Sequence, residues 1–285
     1  MTQQLQSQAI SLHQQGRLAD AEALYRQVLA AGPDYCTQYL LAVLLFQQQR
    51  SDEAMAAVDL ALGLNPGAVE AVMLKGVLLQ AAGQAQDALA HFADVTARQP
   101  GQVEAWYNQG VVLAGLGRRE EAVAAYDRAL ALQPSAAIWA NRGAALTELK
   151  RYAEALDSSD AALALDRTYP TALFNRGVAL LELQRFADSV AAFDQLLTKV
   201  LDDHHAWNNR GAALHGLQRF EQALESYDRS VALRPDYVPA WKNRGLVLTG
   251  LKRFDDAVAS FDRALELVPE DAEIRNARAL AANAA

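Results

Sequence analysis

Asparagine recurs at Asn108, Asn141, Asn175, Asn209 and Asn243, spaced 33 or 34 residues apart. A carboxamide offers two donors and a doubly accepting oxygen, so it can bond a peptide N–H and C=O whatever side chain the peptide carries. If the fold brings these groups to one surface, the chemistry they suggest is capture of an extended backbone. Covalent chemistry has much less support. The histidines are His13, His91, His204, His205 and His215. His204 and His215 share a helical face, but eleven residues of helix separate them by about 16 Å, too far for one metal ion. Cys36 has no second thiol with which to form a disulfide or a ligand pair. No phosphate-cradling glycine loop, GxSxG elbow or HExxH motif occurs. The expectation is a non-enzymatic chain with no catalytic residue, no metal and no cofactor.

The elements that position the asparagines are set by a period of about thirty-four residues running through the whole chain. Ala9, Ala42, Gly76, Gly110, Gly143, Gly177, Gly211 and Gly245 fall in register. Ala21, Ala54, Ala88, Ala122, Ala155, Ser189, Ala223 and Ala257 follow twelve residues later. Tyr25, Val58, Phe92, Tyr126, Ser159, Phe193, Tyr227 and Phe261 come sixteen later, and Pro33, Pro66, Pro100, Pro134, Arg167, Leu201, Pro235 and Pro269 twenty-four later. Such a period means a stacked array, in which each unit buries its apolar face against its neighbours. Within residues 103–135, Trp106, Val111, Leu113 and Leu116 fall at helical spacing before Gly117 interrupts. A second run carries Ala122, Val123, Tyr126, Ala129, Leu130 and Leu132 on one side and stops at Pro134, which cannot continue helical hydrogen bonding. Each unit therefore reads as a helical hairpin. A glycine inside a helix costs about 1 kcal/mol against alanine; its recurrence points to close helix packing that offsets the cost.

The Trp106–Gly110–Leu113, Ala122–Tyr126 and Pro134 elements resemble the signature of the tetratricopeptide repeat, and the resemblance covers residues 2–271. It implies an all-α, right-handed superhelical solenoid of eight helix-turn-helix units. Their bounds are 2–34, 35–68, 69–102, 103–135, 136–169, 170–203, 204–237 and 238–271, followed by a capping helix over 272–285. With no linker in the sequence, one continuous array is expected. Ser159 replaces an aromatic residue, and Arg167 and Leu201 replace proline, which predicts looser packing around the fifth and sixth units. Strings such as AWNNRG and PAWKNRG are also similar to bacterial repeat arms of protein glycosyltransferases, in which asparagine ladders hold the acceptor backbone.

In this family the first helices of the hairpins line the concave face, and on that basis the asparagines form a ladder there. A neighbouring stripe runs through Ile10, Val43, Val77, Val111, Ala144, Val178, Ala212 and Leu246, with Tyr39, Met73, Tyr107 and Phe174 beside it. The expected contact set is Asn108, Asn141, Asn175, Asn209, Asn243, Tyr107, Phe174, Val111, Val178 and Leu246, holding an extended or helical protein segment. Glu70, Glu104, Glu148 and Glu182 lend the face some acidity. The carboxylate clamp of related chaperone-binding repeats is not matched, because its lysine position holds only Lys242 and its asparagine position is apolar. Arg142, Arg176, Arg210 and Arg244 stand fifteen or sixteen residues after Asp127, Asp160, Asp194 and Asp228, which predicts bridges between successive units.

Net charge is −8, so nucleic acid is not an expected partner. No apolar run approaches a membrane span, and the N-terminal residues lack the pattern of a secretory signal. The expected setting is cytoplasmic and bacterial. Two alternatives stand beside a peptide-binding scaffold: the substrate arm of an O-glycosyltransferase, and a self-assembling scaffold.

Overall fold

The computed structural model describes residues 2–284, so Ala285 of the expected cap lies outside the described residues. Among the described residues the chain is helical throughout, with seventeen helices and no strand. The first hairpin pairs α1 (Thr2–Gln14) with α2 (Leu18–Ala31), and the second pairs α3 (Tyr35–Gln47) with α4 (Ser51–Leu64). The third joins α5 (Val69–Ala81) to α6 (Ala85–Arg98), and the fourth α7 (Val103–Gly115) to α8 (Arg119–Leu132). These helices make up one compact unit, Met1–Gln133. A second unit, Pro134–Ala285, begins with α9 (Ala136–Glu148), α10 (Tyr152–Leu165), α11 (Pro170–Glu182) and α12 (Phe186–Leu197). It continues through α13 (His204–Gly216), α14 (Phe220–Leu233), α15 (Val238–Gly250) and α16 (Phe254–Leu267), and closes on α17 (Ala272–Ala284).

The eight hairpins and the final helix are those the sequence predicts, and by contacts they fall into these two units, which meet in sequence at the turn 133–135. That turn has three residues where turns 65–68, 99–102, 166–169 and 234–237 have four. Turn 32–34 is shortened in the same way, so these two turns hold the missing residues of the two short periods.

Within a hairpin the small residue of the first helix faces the aromatic of the second. A Cβ added at Gly110 would meet the Tyr126 ring at 2.5 Å, and one at Gly245 would meet the Phe261 ring at 2.5 Å. Both rings are buried, so the glycine supplies the space that the ring fills. Ser159 departs from this pattern without the predicted loosening. The two helices close over the smaller side chain, leaving a Gly143 Cβ only 3.4 Å from the Ala155 carbonyl oxygen. Ser159 is fully buried there and donates to that same carbonyl at 2.9 Å.

The turn inside each hairpin is also constant. Gly16, Gln49, Gly83, Gly117, Lys150, Gln184, Gln218 and Lys252 all adopt φ between 59° and 76°. The next N–H then reaches back five residues, as Arg118 does to Leu113 O and Arg219 to Leu214 O, both at 2.9 Å, closing a Schellman cap. The turn arginines Arg17, Arg50, Arg118, Arg151, Arg185, Arg219 and Arg253 each fold onto the residue three positions on. Examples are Arg118 with Glu121 at 2.7 Å and Arg185 with Asp188 at 2.7 Å.

A left-handed backbone costs a residue with a Cβ roughly 1–2 kcal/mol. Gln218→Gly should therefore stabilise the fold by about 0.5–1 kcal/mol, the gain being trimmed by the greater freedom of glycine in the unfolded chain. Gln218→Val should destabilise it. Urea unfolding of both variants reads the two signs.

Candidate functional site

In the second unit α9, α11, α13, α15 and α17 each touch the next helix of that series, and no comparable contact joins α10, α12, α14 and α16. First helices that touch while second helices do not must lie on the tighter, inner side of the stack. In the first unit α3, α5 and α7 are related in the same way. The inner stripe reads Thr171, Phe174, Val178 and Glu182 on α11; His205, Asn208, Ala212 and Gly216 on α13; and Pro239, Lys242, Leu246 and Gly250 on α15. These are spacings of three and four that keep residues on one helical face.

Of the expected contact residues, Leu246 is the most open at 38 % exposed, and Val111 and Val178 are half-buried. Phe174 is half-buried with its ring edge-on to Phe193, 5.9 Å between centroids. Tyr107 on α7 is half-buried 6.2 Å from the Tyr126 ring, with half-buried Asn108 next to it in sequence. Asn141 is half-buried on α9.

The carboxamides of the second unit are not equivalent. Asn175 is buried, and its amide donates at 2.9 Å to the Ala140 carbonyl, tying α11 to α9. Asn243 donates to Asn208 Oδ1 at 3.0 Å, and Asn208 in turn donates to Asn209 Oδ1 at 3.2 Å. Asn208 is thus a buried relay between α13 and α15 that the periodic series does not include. The signal for it was the doubled Asn208–Asn209 in the sequence.

Between α11 and α13 the inner face opens into a pocket of about 290 Å³ lined by Pro170, Thr171, Phe174, Leu196, Val200, Asp203 and His205. Turn 198–203, six residues long, makes the room. At about 30 Å³ per water molecule the pocket has the volume of roughly ten waters, enough for one large apolar side chain. Sequence reasoning missed it, although Leu201 in place of proline marked the lengthened turn. Asp203 caps α13 by accepting from Ala206 N–H at 3.0 Å.

The arginine bridges form as expected for Arg176–Asp160 (2.7 Å), Arg210–Asp194 (2.6 Å) and Arg244–Asp228 (2.6 Å), and Arg278–Asp262 (2.7 Å) adds one that was not foreseen. Arg142, Arg210 and Arg244 also donate to Ser158, Ser226 and Ser260, each sixteen residues on, and lie 5.5–5.8 Å over Trp139, Trp207 and Trp241. For Arg210 and Arg244 one guanidinium therefore joins three helices: the preceding second helix, its own, and its hairpin partner. Trp106, Trp207 and Trp241 donate through Nε1 to backbone carbonyls at 2.9 Å, which accounts for a tryptophan at that position by packing.

His204 and His205 lie with tilted rings, 4.0 Å between centroids, each edge-on to Tyr237, whose hydroxyl lies 3.1 Å from His205 Nδ1. Burial, then the neighbouring His205, holds the His204 pKa below its usual value, and burial does the same to His215. Among the described residues no group of three or more His, Cys, Asp or Glu is arranged to hold a metal ion. No helix among them is long and apolar enough to cross a membrane.

Stacked helical hairpins with an inner row of first helices define the chain as a helical repeat protein. Tetratricopeptide repeat family models match residues 7–69, 73–137, 112–172 and 174–238, and a further one matches 211–282. The chain belongs to the tetratricopeptide repeat family. Among solved structures it is similar to the APC/C hetero-tetramer Cut9–Hcn1, with a TM-score of 0.68 and 18 % identity over 97 % of this chain. The match spans 55 % of that chain's length. A tetratricopeptide repeat protein from Parabacteroides merdae gives 0.63 and 15 % identity, covering 87 % of this chain and 99 % of that one. YrrB, described as having an unusual peptide-binding site, gives 0.57 and 21 % identity over 65 % of this chain and 95 % of its own. At these identities the likeness is one of fold. No curated protein matches the chain.

Two measurements test this geometry. Asn175→Ala removes a buried bond between α9 and α11 and should cost about 1–2 kcal/mol in urea unfolding. Because His204 and His215 have depressed pKa values, the unfolded chain takes up protons first as pH falls below the ordinary value of 6.5. Their contribution is complete above that value and is lost as pH falls towards the lower folded values. The carboxyls of Glu22 and Glu154, held down by hydrogen bonds from Arg50 and Arg151, titrate below 4.5 and leave this window clear. The drop in melting temperature from about pH 7.5 to 5.5 should therefore be smaller in a His204→Gln, His215→Gln variant.

Proposed function

We propose that the chain is a non-enzymatic binding scaffold whose second unit holds an extended protein segment along α9, α11, α13 and α15. The observation that carries this reading is the apolar pocket between α11 and α13, whose wall residue Phe174 directly precedes Asn175 in sequence. One large apolar side chain of the segment enters the pocket between Phe174, Leu196 and Val200. The segment's backbone then meets Asn209 and Asn243, which keep bonding capacity beyond the contacts they make with Asn208. Leu246 and Val178 give further apolar contact. In this arrangement Asn175 acts mainly through α9, as a support for the face.

Joined to a catalytic domain, the same face would serve as the acceptor-holding arm that the glycosyltransferase-like motifs suggest. Self-assembly is the competing use of the surface, and light scattering across a concentration series that shows a strict monomer removes it.

The test uses ten-residue random peptides selected by display against the protein. Selected sequences should share one large apolar residue. They should bind at least about tenfold more weakly to Thr171→Trp, which fills the pocket mouth, and to Asn209→Ala, Asn243→Ala. Affinity unchanged in both variants, with melting temperatures preserved, rejects the reading.

A further inference from the structure

The inner face of the first unit differs from that of the second in charge and in hydrogen-bonding capacity. Helices α1, α3, α5 and α7 contain a single lysine or arginine, Lys75, and it is drawn to Asp59 of α4 at 2.7 Å. Against this stand Glu70 and Glu104, each the second residue of its helix and each exposed. Glu70 accepts the Tyr35 hydroxyl at 2.7 Å, and Glu104 has no partner among the described residues. Burial and Glu70 together raise the pKa of that tyrosine, so it remains a donor. Beside the two acids runs a half-buried row of Tyr39, Met73 and Tyr107, and beyond it a half-buried aliphatic lane of Ile10, Val43, Val77 and Val111.

The asparagine position of α3 and α5 is filled by Leu40 and Leu74, and in this unit only α7 carries the carboxamide, Asn108. A trough walled by leucine, valine, methionine and tyrosine offers few partners for a peptide backbone. An extended segment laid there would leave its N–H and C=O groups unsatisfied, whereas a helix bonds its own backbone internally. Apolar row, aliphatic lane and bordering acids together fit a helix presenting one apolar face and flanking cations. Tyrosine rings add attraction for those cations, and the thioether of Met73 adapts to varied apolar side chains.

We infer that the inner face of the first unit docks a cationic amphipathic helix of a protein partner, Glu70 and Glu104 pairing with its lysine or arginine residues. Packed helices lie about 8–10 Å apart. At about 1.5 Å of rise per residue the two cations therefore stand about five to seven residues apart, one and a half to two turns along the helix. The inference shares with the proposal above the premise that partners occupy inner faces. It assigns the first unit a different occupant, a helix in place of an extended chain.

The probe is a fluorescein-labelled eighteen-residue peptide of leucine and lysine in amphipathic helical order, compared with a scrambled peptide of equal composition and with a leucine–glutamate counterpart. Anisotropy should show binding of the ordered lysine peptide, weakened about tenfold by Glu70→Gln, Glu104→Gln and by added salt. A control, Glu221→Gln, Glu225→Gln on α14, removes the same charge from the other unit and should leave affinity unchanged. Equal loss in the two double variants, equal binding of the scrambled peptide, or no binding of the ordered one overturns the inference. None of these results touches the Thr171→Trp readout, so the two readings fail separately.

Discussion

The interaction on which everything else depends is the contact between a residue with no side chain, or almost none, and a buried ring on the facing helix. At Gly110, Gly177, Gly211 and Gly245 the ring occupies the place a Cβ would take. This brings the two helices of a hairpin close enough to exclude water from between them, at the cost of a poor helix former in mid-helix. Each hairpin is thereby a stiff plate, and stacked plates turn any side chain at a fixed position into a row. The Ser159 hairpin reaches the same result by another route. With no ring to accommodate, its helices leave a Cβ at Gly143 of α9 only 3.4 Å from the Ala155 carbonyl oxygen of α10.

On this frame two further devices act at different places. Arg210 and Arg244 fasten plate to plate through an aspartate, a serine and a tryptophan, and they do so on the side away from the inner stripe. Fastening on the outer side leaves the inner side open to vary. The two units use that freedom differently: the first carries tyrosines, aliphatic residues, carboxylates and one carboxamide of the series, the second the other four carboxamides, histidines and an apolar pocket.

The hairpins, their turns and the arginine–aspartate bridges were legible in the sequence, because each depends on residues at fixed separations along one or two helices. Asn175 shows where such reasoning stops. Its register with Asn209 and Asn243 is real, yet its amide is spent on the Ala140 carbonyl of α9 while theirs sit in a relay through Asn208. Register reports which face a side chain belongs to. Which neighbour takes its hydrogen bond depends on distances across helices, and these have no counterpart in the period.

By itself the sequence determined the all-helical class and the number of hairpins, since periodicity and the backbone demands of glycine and proline are local properties. Only the tertiary structure decided the rest. It divided the chain at turn 133–135, drew Ser158, Ser226 and Ser260 to the arginines, and opened a pocket where turn 198–203 is long. Each of these outcomes depends on how far apart neighbouring helices come to rest. That distance is set by many side chains packing at once, and no spacing along the chain encodes it.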